Sequence, residues 1–375
     1  MSSPGFPELF ISLTLQCSLV LLMAWMLTRR AASSAAADRI WAQAHVLILV
    51  LCLMGGFLPH LRILQPDFVL ILLGQIASSG WFRVFFQTIG YVWVAGVLLL
   101  SLITLASIIR THRLVRRCCD KAHLAELESI SATEVHSIKA TPETCKHLQS
   151  LRVTIVWSSE AVTPFCWQLH TPVIVLPEAI QTFPDAELDA VLRHELAHLN
   201  AKHPLRLFLQ RLLEIGFWFH PLVWLSSREA SLQRELASDL MANLNVVQAK
   251  TFLRGMVRLA EQRSHRTPGL AAGLGFGGAG RSMIQRRVDQ ILTRDWTSDL
   301  RSMTSLPKRY QLALGVTTLL AAIIWIPLNS EATGRTILSP WPSITAAALH
   351  EAGLEVRDYE LDRHRLHEHS SVRMM

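Results

Sequence analysis

Four stretches of the chain carry no charged side chain: 9–27 (LFISLTLQCSLVLLMAWML), 46–59 (VLILVLCLMGGFLP), 90–109 (GYVWVAGVLLLSLITLASII) and 310–328 (YQLALGVTTLLAAIIWIPL). A helix needs about 20 apolar residues to cross the hydrocarbon core of a bilayer. The first, third and fourth stretches reach that length unaided; the second reaches it with its flanks, and it holds Gly55 and Gly56. Any one of them could be a buried core helix, but four in one chain predict a mainly α-helical membrane protein. The expected spans lie at about 9–28, 42–62, 90–110 and 310–328. Only 17% of the residues are charged, against about one quarter in soluble proteins, and the deficit is concentrated in these four places.

The first span does not read as a secretory signal, because MSSPGFPE has no Lys or Arg and the basic residues follow the apolar run. Arg29, Arg30 and Arg39 follow span one; Arg110, Arg113, Arg116, Arg117 and Lys121 follow span three; Arg301, Lys308 and Arg309 precede span four. Only Arg62 and Arg83 lie between spans two and three. The positive-inside rule then predicts both termini outside, the 28–45 loop inside, the 60–89 loop outside and the domain before span four inside. The net charge of +7 is thus a signature of topology, and no basic–aromatic stripe points to direct nucleic-acid contact. Six cysteines show no C-x-x-C pair, and four of them fall in the predicted cytoplasmic part, where thiols stay reduced. Cys118 and Cys119 flank a basic membrane boundary; two free thiols are favoured over palmitoylation.

Residues 111–309 are enough for one soluble domain, with 329–375 left as a short extracytoplasmic tail bearing His350, His364, His367 and His369. The domain begins with a polar, helix-like segment at 111–150. The runs VTIV and VIVL within 152–180 then predict a strand pair or small sheet. Pro184, Asp185 and Glu187 mark a helix start, and Leu188, Val191, Leu192, Leu196 and Leu199 carry the helix onward. Residues 204–225 are apolar but hold Arg206, Arg211 and Glu214, which argues against a fifth span. A helix against the membrane or in the core is expected, broken near His220–Pro221, with a further helix at 226–245. The glycine-rich 269–281 reads as a mobile loop.

The helix starting at Asp185 carries His194, Glu195 and His198 as H-E-x-x-H, a pattern that chance places in about 3% of chains with this many His and Glu. Two histidines four residues apart share a helix face, so both imidazoles can reach one metal ion. Catalytic zinc takes three protein ligands, keeps one position open and lowers the pKa of water to about 7. Glu195 is placed to take the proton of that water as general base. The third ligand must come from elsewhere. Glu235 offers it on a later helix, with Asp239 one turn on to brace a ligand histidine. Glu229 and Glu214 compete for the role, and Glu229, Arg234, Glu235 and Asp239 could equally form a solvated charged face.

Taken together, VLRHELAHLNAKHPLR, FWFHPLVW and RELASD, in this order and spacing, resemble membrane metallopeptidases of the BlaR/MecR antirepressor type. SSEAVTP, TPVIVLPEAI and RRVDQIL (286–292) extend the resemblance over most of the chain. It implies a cytoplasmic α+β, gluzincin-like zinc peptidase domain between spans three and four. It also implies one Zn2+ on His194, His198 and Glu235, with Glu195 as base and Asp239 behind a ligand. The implied partners are a protein substrate such as a cytoplasmic repressor, the chain itself as a self-cleavage substrate, membrane lipid and a second copy in a homodimer. TPVIVLP is expected to be the strand before the active-site helix, with an edge that aligns a peptide by strand addition.

Some positions depart from the family pattern. Lys202–His203 replaces a common R-x-D, His220 stands in a usual WFNP, and Ser238 precedes Asp239 where Cys is usual. His203 and His220 are candidate contacts to substrate or transition state, with structural roles as the plainer expectation. Only about 45 residues follow span four, so no penicillin-binding sensor domain is expected there. Two other functions stay open from sequence: a non-catalytic membrane signalling or scaffold protein with structural zinc, and a membrane quality-control protease.

Overall fold

A computed structural model of the chain describes residues 6–60, 80–128, 140–168, 171–266, 277–294, 307–326, 341–354 and 356. The Arg62 loop position, residues 269–276 of the glycine-rich stretch and the tail histidines beyond His350 lie outside the described residues. Helices are α1 (Phe6–Arg29), α2 (Ser34–Phe57), α3 (Gly80–Glu128), α4 (Pro142–Ser150), α5 (Asp185–Asn200), α6 (His203–Gly216), α7 (Pro221–Ala242), α8 (Val246–Arg266), α9 (Gly277–Thr293), α10 (Lys308–Ile323) and α11 (Ser343–Glu351). Strands are β1 (Thr154–Ser158), β2 (Phe165–Trp167) and β3 (Val173–Pro177).

Helices α1 and α2 form a hairpin. Ser33 caps α2 by accepting the Ala36 amide at 3.2 Å, which starts that helix at Ser34, eight residues before the expected span. Val20, Leu21, Ala24 and Leu27 on α1 meet Ile40, Trp41, Ala44, Ile48 and Leu51 on α2 at helical spacing. Leu213, Phe217, Val223 and Ala230 of α6–α7 enter the same core, with Tyr310, Leu314 and Ala321 of α10. The outer faces remain apolar, including Leu22, Trp25 and Met26 on α1 and Leu53 and Met54 on α2.

Among the described residues three helices, α1, α2 and part of α3, are long and apolar enough to cross a membrane. The fourth expected span is different: α10 has 16 residues and ends at Ile323. Ile324 turns to extended backbone (φ −79°, ψ 97°) three residues before Pro327, a residue that disfavours helix in the chain ahead of it. Its unwound backbone is taken up by α1. Gln16 Nε2 donates to the Ile324 carbonyl at 2.9 Å, the Ile326 amide donates to Ser12 Oγ at 3.0 Å, and the Trp325 indole donates to Glu8.

The helix that holds the third expected span continues past residue 110, where the soluble domain was expected to begin. α3 is one helix of 49 residues, about 74 Å at 1.5 Å per residue. Its later part carries Val115 and Cys118 onto the sheet, so Cys118 is buried and the boundary at 110/111 lies inside a continuous helix. Lower down, Gly96 touches Trp218 so closely that a Cβ would lie 2.4 Å from the indole. Trp93 Nε1 donates to the Gly216 carbonyl at 2.9 Å beside it. Glycine is required at 96 by this approach.

The sheet order is β1-β3-β2, with β1 parallel and β2 antiparallel to β3. Alternation along β3 sends Ile174 and Leu176 toward α5 and Val173 and Val175 toward α3. The TPVIVLP strand is therefore central, with both edges paired, and offers no edge to a peptide. The outer strands are β1 and β2, and β2 is a three-residue strand outside the two runs expected from sequence. The helix expected over 204–225 divides into α6 and α7 at residues 217–220, at the expected break, and α7 runs unbroken from Pro221 to Ala242, three residues short of the end expected at 245.

Candidate metal centre

Asp185 and Glu187 stand in the first turn of α5, where acids favour the positive helix end. Two turns on, α5 is buried on nearly all sides and presents His194, Glu195 and His198 to α7. His194 Nε2 and His198 Nε2 are 3.1 Å apart. Glu235 Oε2 is 3.6 Å from the first nitrogen and Oε1 is 3.6 Å from the second. Ligand atoms about 2.0–2.1 Å from a tetrahedral zinc are separated by about 3.3 Å, so this triangle has the right size and chemistry. His194, His198 and Glu235 are the group of metal-ligating side chains that converges among the described residues. Glu229, bonded to Gln233, and Glu214, bonded to Gln210 and Arg211, are turned elsewhere. The charged face on α7 is not solvated: Arg234 and Asp239 are buried.

Behind His194, Asp239 Oδ1 lies 3.0 Å from Nδ1. Arg287 of α9 grips both acids of α7: Nε and Nη2 donate to Asp239 at 2.7 and 2.8 Å, and Nη1 lies 3.1 Å from Glu235 Oε2. Phe252 of α8 stacks on His194 with ring centroids 5.3 Å apart. Behind His198, Lys202 adopts a left-handed turn (φ 55°) between α5 and α6. That conformation costs a non-glycine residue about 1–2 kcal/mol, and it folds His203 back until its Nδ1 is 2.9 Å from His198 Nδ1. His203 Nε2 in turn lies 3.4 Å from Asp38 Oδ2 of α2.

Burial dominates the ionisation of the site. It pushes the Glu195 carboxyl up to about 7, only partly opposed by His194. It pushes His198 down to about 3, reinforced by the neighbouring His194. Burial opposes charge on His194 too, but the Asp239 and Glu235 carboxylates outweigh it and carry His194 up to about 9. Glu235 and Asp239 are held below the usual carboxylate range despite burial, by His194 and Arg287.

The centre opens into a cavity of about 1140 Å³. Its walls are Phe165, Cys166 and Trp167 of β2, Phe252 and Met256 of α8, and Leu100, Ile103 and Ser107 of the apolar helix α3. His203 lines it as well, but its ring nitrogens engage His198 and Asp38 rather than open space. His220 is not a cavity residue. It caps α7, its Nδ1 accepting the Leu222 amide at 3.2 Å while Nε2 lies 3.0 Å from Ser18 Oγ on α1. It thus stands as the N-cap of α7, next to Pro221 where that helix starts.

Three residues of this arrangement have no sequence signature of their own: Arg287, Asp38 and Cys166. RRVDQIL carried the only hint, an arginine pair ahead of an apolar repeat. A family model, described as BlaR1 peptidase M56, matches residues 71–291. Regulatory protein BlaR1 of Bacillus licheniformis is 29% identical over 237 residues, 62% of this chain and 36% of that protein. The chain thus spans little more than a third of that relative's length.

Proposed function

The chain belongs to the BlaR1 peptidase M56 family of membrane-associated regulatory metallopeptidases, and we propose that it is a zinc endopeptidase that cleaves a cytoplasmic protein, such as a transcriptional repressor. In this reading α1, α2, α3 and the shorter α10 sit in a bacterial cytoplasmic membrane, with the metal centre on the cytoplasmic side. The observation that carries it is the convergence of two imidazole nitrogens and a carboxylate, 3.1–3.6 Å apart, beside a buried glutamate in an open cavity.

His194, His198 and Glu235 would hold the zinc, which supplies Lewis-acid polarisation of the scissile carbonyl and an acidified water. Glu195 does the proton work. Raised to about 7 by burial, its carboxylate is basic enough to take a proton near neutral pH and acidic enough to pass it to the leaving amine nitrogen. Asp239 keeps His194 turned toward the metal, and Arg287 with the two histidines holds Glu235 ionised, so that it does not take up that proton. The β2 edge at Phe165–Trp167 borders the cavity, and a substrate in extended form can pair its backbone there. The wall from α3 makes the entrance apolar and close to the lipid surface, which suits a substrate presented near the membrane.

The test is Glu195→Gln in the full chain. One zinc per chain should remain by elemental analysis, while fragments that appear in the cytoplasmic proteome with the wild-type protein should vanish. Retained cleavage overturns the mechanism; zinc uptake with no cleavage by either protein favours a non-catalytic signalling role.

A further inference from the structure

We infer that Asp38, in the first turns of α2, is a positioning residue for the metal centre: acting through His203, it sets the orientation and tautomer of the ligand His198. The inference rests on the metallopeptidase reading above and adds to it a contribution from outside residues 71–291.

His198 Nε2 faces His194 Nε2 and Glu235, so Nδ1 is the nitrogen left for a partner. That partner is another ring nitrogen, His203 Nδ1, at 2.9 Å. Two imidazole nitrogens can share this distance only when one carries hydrogen and the other does not. A metal on His198 Nε2 requires hydrogen on its Nδ1, so His203 must accept at Nδ1 and carry its own proton on Nε2. Ser238 Oγ, 3.3 Å from the same His203 nitrogen, selects neither tautomer, because a hydroxyl donates or accepts equally well.

Selection has to come from the other side of the ring. His203 Nε2 is buried and has no hydrogen-bond partner that meets strict geometry among the described residues, and the group it faces is Asp38 Oδ2 at 3.4 Å. An ionised carboxylate only accepts, so it favours hydrogen on Nε2, the tautomer that His198 needs. Asp38 is itself 5% exposed and is fixed by an ion pair with Arg206 of α6. The carboxylate that commonly stands directly behind a metal-bound histidine is here displaced by one imidazole. It is supplied by a helix apolar and long enough to span the membrane.

The full-length protein in detergent micelles tests this by two readings, zinc affinity against a chromophoric chelator and the visible bands of the cobalt-substituted site. Asp38→Leu should lower zinc affinity 10- to 100-fold and shift the cobalt bands, the usual size for loss of a group behind a ligand. Asp38→Asn, which keeps a carbonyl acceptor, should recover part of both. Arg206→Gln removes the other partner of Asp38, yet it should leave both readings near wild type. Wild-type affinity in Asp38→Leu overturns the inference. So does an equal loss in Arg206→Gln, which would make Asp38 only a tie between α2 and α6. Should Asp38→Leu not fold, Asp38→Asn against Arg206→Gln decides in the same way. A wild-type protein that takes up neither metal overturns the metallopeptidase reading and the inference with it.

Discussion

His194 and His198 sit one turn apart on the same helix, yet their supports differ in kind. His194 rests on Asp239, which Arg287 grips with two hydrogen bonds, so that arm is charge-balanced within α5, α7 and α9. His198 rests on a neutral ring, and the nearest charge behind that ring belongs to α2. One ligand is held by the peptidase itself and the other through its membrane neighbour. A disturbance in the α1–α2 hairpin therefore has a direct hydrogen-bonding route to His198, whereas toward His194 it meets only the packing of Ala35 on Ala237 and Leu240 and the Ser34–Gln290 contact.

The largest effect that would break this contrast is Arg287→Met. It strips the cation from the buried Asp239 and the half-buried Glu235 and should destabilise the metal-free protein by about 3–5 kcal/mol in denaturant unfolding. Added zinc should restore part of the loss, since it replaces the missing positive charge. Arg206→Met on the other arm should cost less, because Arg206 is more exposed and Asp38 keeps His203 as a neighbour.

Protons sharpen the contrast further. With a pKa raised to about 9, metal-free His194 is protonated at pH 7, whereas His198, held near 3, is already neutral. Zinc binding at pH 7 should release a proton from His194 and a further fraction from Glu195, which is part-protonated in the metal-free site, measurable by calorimetry in buffers of different ionisation enthalpy. Release should fade above about pH 9, and zinc affinity should climb with pH until then. The sign for stability is the reverse. A raised histidine pKa stabilises the metal-free fold fully below the unfolded value near 6.5, and that contribution disappears as pH rises through about 9. Equal proton release at pH 7 and pH 10 would refute the asymmetry.

The smallest expected effect is at His220. His220→Gln removes a helix cap and should cost about 1 kcal/mol of stability, with kcat and zinc affinity unchanged. A large fall in kcat with intact folding would return His220 to the chemistry.

Much of the centre was legible because it is local. H-E-x-x-H needs only one helix, whereas Glu235, with Asp239 one turn on, competed with Glu229 and Glu214 until the family resemblance singled it out. Arg287 was not legible, since nothing near it says that its partners lie about 50 residues earlier on another helix. Asp38 read as part of a charged loop, because α2 starts at Ser34 rather than near 42. β2 was missed because three residues are too few for a period-two pattern, and its pairing with β3 is a tertiary fact. The span at 310–328 looked complete from hydropathy, which does not register that Ile324–Ile326 leaves the helix and bonds to α1.

That last contact has a consequence for how the chain is made. Glu8, Ser12 and Gln16 form one polar stripe along α1, and the groups they bind at residues 324–326 are synthesised last among the apolar helices. The interval from Gln16 to Ile324 is 308 residues, about 15–60 s at a ribosome speed of about 5–20 residues per second. Throughout that interval Ser12 and Gln16 of the nascent α1 await the backbone groups of Ile326 and Ile324. Arrival of the segment that follows α10 supplies them, so the packing of α1 is completed only late in synthesis.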